Sequence, residues 1–192
     1  MIEITGDLFK SVKADAICIT TNGWTKQDGS CVMGRGCADQ AKKLWPGIEF
    51  TLGEALKQGN DLHLLTRPNE HSDGKQLVLP VPGLLFKVPY HVVAFPVKPT
   101  VCGFSDLLPR FATAHAKEHQ KTDFPGWMSQ AKFNIICNSA RNLVRLAESE
   151  GWENVVIPRP GCGAGGLKWK HVKEHLDAIL GDKFYIIDFP KR

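Results

Sequence analysis

No stretch of the 192 residues approaches the ~18 consecutive apolar positions that a membrane-spanning helix requires, so no membrane partner is expected. The first residues, MIEITGDLF, carry acidic side chains and no apolar core, unlike a secretory leader. The expectation is a cytoplasmic protein, or a nuclear one in a host with a nucleus. None of the six cysteines (Cys18, Cys31, Cys37, Cys102, Cys137 and Cys162) falls in a C-x-x-C pair, and a chain of this length without a leader is a poor candidate for a disulfide scaffold. Cys18 and Cys137 lie in apolar runs and are expected to be buried thiols. Internal repeats and low-complexity segments are absent. Charge of one sign does not dominate: 24 Lys and Arg face 20 Asp and Glu, a net +4, which permits a nucleic-acid partner without arguing for one. What remains is 43% hydrophobic and 23% charged residues, an ordinary globular composition that fits one domain over residues 1–192.

Short runs rich in Val, Ile and Phe, bounded by Gly, Pro or Asp, predict strands at Ile2–Thr5, Ala14–Thr21, Leu62–Thr66, Gln76–Leu79, His91–Phe95, Asn154–Pro158 and Phe184–Phe189. Helices are predicted at Gly36–Trp45, Leu52–Gln58, Leu107–Lys117, Ser129–Glu150 and Lys168–Leu180. Ala140, Leu143, Val144 and Ala147 recur at helical spacing, with Ser129 as the expected N-cap and Gly151 as the stop. Strands alternating with helices predict an α/β protein with helices on a central sheet. Residues 67–90 carry six prolines or glycines and read as a hairpin with loops. Residues 99–128 form an insert too long for an ordinary connection in a compact domain. Such stretches often cover a site.

Two glycine loops carry the chemistry. RPGCGAGGLKW places Gly161, Gly163, Gly165 and Gly166 between a strand and a helix, and VMGRGCA places Gly34 and Gly36 at the start of another helix. Backbone N–H groups at a glycine turn, completed by a helix N-terminus, favour a phosphate. Two such loops could hold two linked phosphates from opposite sides. Gly161, Gly163 and Gly166 also spell G-x-G-x-x-G, with Asp188 near the distance at which an acidic residue holds a ribose in a dinucleotide fold. Pro158 and Pro160 interrupt the junction where that turn must be tight, and no second nucleotide-binding half is evident upstream. A nicotinamide-dependent reductase therefore ranks last.

In chain order, Gly6-Asp7-Leu8-Phe9, the strand ADAICITTN ending at Asn22, VMGRGCA, the strand end AFPVKP and IPRPGCGAGGLKW together resemble the macrodomain family of ADP-ribose-binding modules. The combination is similar above all to the branch of terminal ADP-ribose glycohydrolases and DNA-ADP-ribose glycohydrolase antitoxins. The resemblance implies a three-layer α/β/α sandwich around a mixed sheet. It implies ADP-ribose contacts from Asp7 and Leu8 (Asp7 to the adenine amino group), from Asn22 to the distal ribose, and from Met33, Gly34, Arg35 and Gly36. The second loop adds Pro160, Gly161, Cys162, Gly163, Ala164, Gly165 and Gly166, and Phe189 could stack on adenine. Lys98, matching the branch's catalytic lysine, would attack the anomeric carbon of an opened ribose, and Asn22 would act with it in cleaving the bond at the distal ribose. A lysine becomes nucleophilic when burial or a neighbouring cation lowers its pKa. Some relatives carry an acid in the second loop where this chain has Gly165, which leaves the linkage open.

The function implied is an ADP-ribosyl glycohydrolase acting on modified DNA or protein, monomeric, without cofactor or metal. The alternatives are an ADP-ribose 1″-phosphate phosphatase and a non-catalytic reader. Two H-x-x-E-H patterns, at His115–His119 and His171–His175, put histidines on one helix face as in zinc proteases, but a catalytic zinc needs a third ligand. Trp127, Trp152 and Trp169 are expected to be packing residues.

Overall fold

The computed structural model describes residues 1–66, except Val12, and 90–189. The strand expected at Gln76–Leu79 lies outside the described residues, as does nearly all of the 67–90 stretch.

Six strands form a mixed sheet in the order β1-β8-β7-β2-β4-β3 among the described residues. They are β1 (Ile2–Thr5), β2 (Ala16–Asn22), β3 (His63–Thr66), β4 (His91–Lys98), β7 (Val155–Pro158) and β8 (Phe184–Asp188). All neighbours pair parallel except β3 with β4. Parallel strands are covered on both faces, and the alternation of side chains sorts them. Ile17 and Ile19 of β2 join Val92 and Ala94 of β4 in one cluster, under α1 (Gly36–Leu44) and α2 (Ile48–Ala55). Ala16 and Cys18 join Val93 and Phe95 in the other, under α4 (Phe133–Glu150) and α5 (Trp169–Leu176). The result is the expected three-layer sandwich. No helix among the described residues is long and apolar enough to cross a membrane.

Element boundaries moved where tertiary contacts overrode local signals. Ser129 is not the cap of α4. It is fully buried, its Oγ donates to the Gly126 carbonyl at 2.8 Å, and the helix starts at Phe133 after an uncapped Lys132. Gly151, at φ 70°, does end α4. Of the two cysteines expected to be buried, Cys18 is, whereas Cys137 lies half-buried on α4.

The 99–128 insert has an architecture that periodicity did not reveal. β5 (Val101–Cys102) pairs antiparallel with β6 (Phe124–Pro125). The helix expected over Leu107–Lys117 shortens to α3 (Pro109–Ala114), because Leu107 and Leu108 are extended and buried at its entry. Cys102, Leu107 and Phe124 form a small core of their own, with Phe104, Phe111 and Met128 against it. Gly126 closes this unit onto the end of β4: its N–H donates to the Thr100 carbonyl at 2.8 Å, and a Cβ there would lie 1.7 Å from the Pro99 carbonyl oxygen.

Replacing Gly126 by Ala restricts the unfolded chain, normally a gain of about 0.4–1 kcal/mol. Here the clash is with backbone rather than with a flexible side chain, so overpacking wins. We expect Gly126→Ala to lower stability by about 1–3 kcal/mol, read as a lower urea midpoint at unchanged m-value.

Candidate active site

β4 contains Pro96, which has no N–H for the ladder with β2. Thr21 pairs with Pro96, the register then slips, and Asn22 pairs with Lys98. The slip sets these two side chains next to one another at the carboxyl edge of the sheet. The Pro96 carbonyl is taken up by Ser139 Oγ of α4 at 2.8 Å, and the Lys98 carbonyl by Asn60 Nδ2 at 2.9 Å, so the strand end is held from two directions.

A cavity of about 750 Å³ opens along this edge, across the carboxyl ends of β2, β4, β7 and β8. Ligands of open α/β sheets bind outside these strand ends. Of the site residues expected from sequence, Asn22, Gly34, Arg35, Gly36, Lys98, Gly161, Cys162, Gly163, Ala164, Gly165 and Phe189 line it. The others do not. Leu8 and Met33 are buried in the core, and Pro160 is buried behind the loop. Asp7 caps a short turn, accepting from the Phe9 N–H at 3.0 Å with Lys10 Nζ 3.7 Å away. Gly166, at φ +77°, packs on Leu108.

At the first loop the start of a helix faces the cavity. Arg35 precedes α1 without a side-chain cap, and Gly36, Cys37 and Ala38 of its first turn line the cavity. Uncapped first-turn amides at the positive end of a helix attract an anion. A Cβ on Gly34 would meet no protein atom within 4 Å, so that space belongs to the cavity. Cys37 ties the helix start to β2, accepting from the Thr20 N–H at 3.3 Å.

In the second loop α5 begins at Trp169, one residue after the predicted start at Lys168, and a short turn over Gly163–Gly165 lies between β7 and the helix. Gly161, Gly163 and Gly166 have φ of 74°, 61° and 77°, left-handed values that favour glycine whatever lies in the cavity. Gly165 is required for another reason: its Cβ would come 3.0 Å from the Ala131 Cβ.

Lys98 is not a solvated surface lysine; it is 7% exposed. Its Nζ donates to the Trp127 carbonyl at 3.0 Å and the Ala164 carbonyl at 3.1 Å, and among the described residues to no carboxylate. Burial pushes its pKa down to about 8, with the Arg110 and Arg35 guanidinium groups acting in the same direction. The cavity's thiols are shifted the other way. Burial raises Cys37, and raises Cys162 to about 11, so neither is a thiolate at neutral pH. Asn22 is buried and its amide is already engaged: Oδ1 accepts from the Trp24 N–H at 3.0 Å and Nδ2 donates to the Val32 carbonyl at 2.8 Å. One amide hydrogen remains for a ligand.

Sequence reasoning missed several wall residues. Arg110, Phe111 and Trp127 come from the insert, where no pattern pointed to them. Arg159 and Trp169 flank the second loop, and their position at its two borders was the available signal. Trp152 is a buried packing residue as expected, whereas Trp127 and Trp169 also line the cavity. Asp188 is there too, paired with Arg159 at 2.8 Å. His115 contacts Glu118 at 2.8 Å, His175 stacks on Phe133, and no group of three metal-ligating side chains occurs among the described residues.

No family model and no curated protein matches the chain in sequence. Solved structures do match its backbone. The macrodomain of Mycobacterium tuberculosis DarG is 21% identical, with a TM-score of 0.62 over 100% of this chain and 97% of that one. Thermosipho africanus DarTG in complex with ADP-ribose is 20% identical, with a TM-score of 0.63 over 99% of this chain and 42% of that one. The Oceanobacillus iheyensis macrodomain with ADP is 11% identical, with a TM-score of 0.55 over 99% and 83%. The chain has the macrodomain fold.

A lysine whose folded pKa lies below its unfolded value destabilises the fold while both states are protonated. That penalty is present below about pH 8 and is lost as pH rises to 10.5, on the order of 3 kcal/mol in all. Wild-type stability relative to Lys98→Met should therefore rise across this window, measured by urea denaturation at intervals of pH.

Proposed function

We propose that this macrodomain-fold chain binds ADP-ribose and hydrolyses an ADP-ribosyl bond with Lys98 as nucleophile. The observation that carries the reading is a buried amine, with its pKa lowered to about 8, held by two carbonyls at the floor of a cavity walled by two glycine loops. The similar fold of Thermosipho africanus DarTG in complex with ADP-ribose, and of the Oceanobacillus iheyensis macrodomain with ADP, supports a ligand of this chemistry.

In this reading the diphosphate lies between the α1 start and the Gly161–Gly165 loop, beside Arg35. The adenine lies toward Phe189, with Asp7 at the outer rim, and the distal ribose meets Asn22 and Lys98. Asn22 then acts chiefly by holding the loop that carries Gly34 and Gly36, and offers its free amide hydrogen to the ribose. The neutral Lys98 amine attacks the anomeric carbon, the bond to the modified group breaks, and that group leaves with a proton from the lysine nitrogen. Water then hydrolyses the carbon–nitrogen bond, releasing ADP-ribose and restoring the amine. The modified group is DNA or protein, and the bond joins it to the distal ribose.

Lys98→Ala should abolish cleavage of ADP-ribosylated DNA or protein in single turnover while free ADP-ribose still binds by calorimetry, more tightly than NAD or AMP. Undiminished cleavage would remove Lys98 as nucleophile. Tight binding with no turnover by wild type on any linkage would make the protein a reader, and phosphate release from ADP-ribose 1″-phosphate would make it a phosphatase.

A further inference from the structure

We propose that Arg110, on the insert helix α3, is a positioning residue for Lys98: its guanidinium, in the cavity wall without a counter-ion, keeps part of the lysine population as the neutral amine. The inference rests on the reading of Lys98 as nucleophile and adds a residue that acts through it.

The geometry begins at the ammonium. Lys98 Nζ donates to the Trp127 carbonyl, and the Trp127 ring meets the Phe111 ring edge-on at 5.2 Å between centroids. The Arg110 guanidinium lies 4.6 Å from the centroid of that same Phe111 ring. One aromatic pair therefore carries both the carbonyl that holds Lys98 and the cation that opposes its charge. Arg110 has no ion pair among the described residues.

Of the other charged and titratable groups around Lys98, Cys102 on β5 acts against this cation and raises the lysine, though less than Arg110 lowers it. Burial and the Asp106 carboxylate raise the Cys102 thiol in turn. Asp106 is itself paired with Lys132. Arg35 at the start of α1 adds a second, weaker positive contribution. Asp188 is engaged by Arg159. Two carbonyls and Cys102 thus favour the ammonium, while burial, Arg110 and Arg35 oppose it, and the balance rests near pH 8. Arg110 is exposed and lies outside the two glycine loops, so it can be changed with little effect on the fold.

The test is a ¹³C NMR titration of the lysine side chains in the full chain. The Lys98 signal is assigned by its loss in Lys98→Met, and wild type is compared with Arg110→Gln and Arg110→Lys. In Arg110→Gln the Lys98 midpoint should rise by about one pH unit. In Arg110→Lys it should stay at the wild-type value. At about 1 M salt, where the screening length falls to roughly 3 Å, the difference should narrow. The acid limb of the hydrolysis profile should move with the midpoint, so the Arg110→Gln rate falls about tenfold at neutral pH and recovers at high pH. An unchanged midpoint in Arg110→Gln, with its urea midpoint like wild type, overturns the inference and leaves the nucleophile reading standing. A rate loss that persists at high pH with no change of midpoint also overturns it, since Arg110 would then act on substrate directly. Full cleavage by Lys98→Ala would instead end the nucleophile reading, and the titration would still report whether Arg110 governs the lysine's charge.

Discussion

A lysine ammonium buried at the end of a parallel strand, with two carbonyls and, among the described residues, no carboxylate for company, is the constraint around which this cleft is arranged. Burying an uncompensated cation is expensive, and such a group shifts its pKa rather than bear the full cost. Each carbonyl that remains must therefore be held in place by other means. The Trp127 carbonyl follows Gly126, which is packed on Pro99 and Thr100 too closely for any side chain. The Ala164 carbonyl precedes Gly165, where a Cβ would come 3.0 Å from the Ala131 Cβ, and the Gly165 carbonyl accepts from the Ala131 N–H at 2.9 Å. Two close-packed glycines on different segments fix the two acceptors.

This arrangement changes how the glycines of the second loop are understood. Their number first suggested backbone amides bared for a phosphate. In the structure three of them adopt left-handed backbone and the fourth packs closely on Ala131 ahead of α4, so the loop favours glycine even with nothing bound. The anion-binding character rests more on the first loop, where the uncapped start of α1 meets the cavity and the space beside Gly34 is free. The two loops are therefore not equivalent walls. One sets the first turn of α1 against the cavity, and the other holds a carbonyl toward the lysine.

The insert supplies the rest. It has its own small core and its own strand pair, and it reaches the cavity through Arg110, Phe111 and Trp127. Without it Lys98 would lose one acceptor and one neighbouring cation, and the floor of the cleft would open to water. Chemistry at the sheet edge thus depends on a segment that belongs to neither helical layer.

How much of this was legible beforehand varies with the range of the interaction. Strand and helix positions followed from local alternation and helical spacing, and most boundaries fell within a few residues of the observed ones. Ser129 failed as a cap because a longer-range demand, closing the insert on Gly126, claimed its hydroxyl. The glycine loops, Asn22 and Lys98 were visible as short patterns in a specific order, yet the pairing of Asn22 with Lys98 was not. It arises from a register slip opposite Pro96, which exists only once two strands lie side by side. Arg110 and Trp127 left no trace in the chain's periodicity, because their roles depend on a ring contact and a carbonyl 29 residues away from the lysine. The sequence by itself determined the layers, the two loops and the identity of the amine. Only the tertiary structure decided what surrounds that amine, because its charge is governed by burial and by neighbours brought from distant segments.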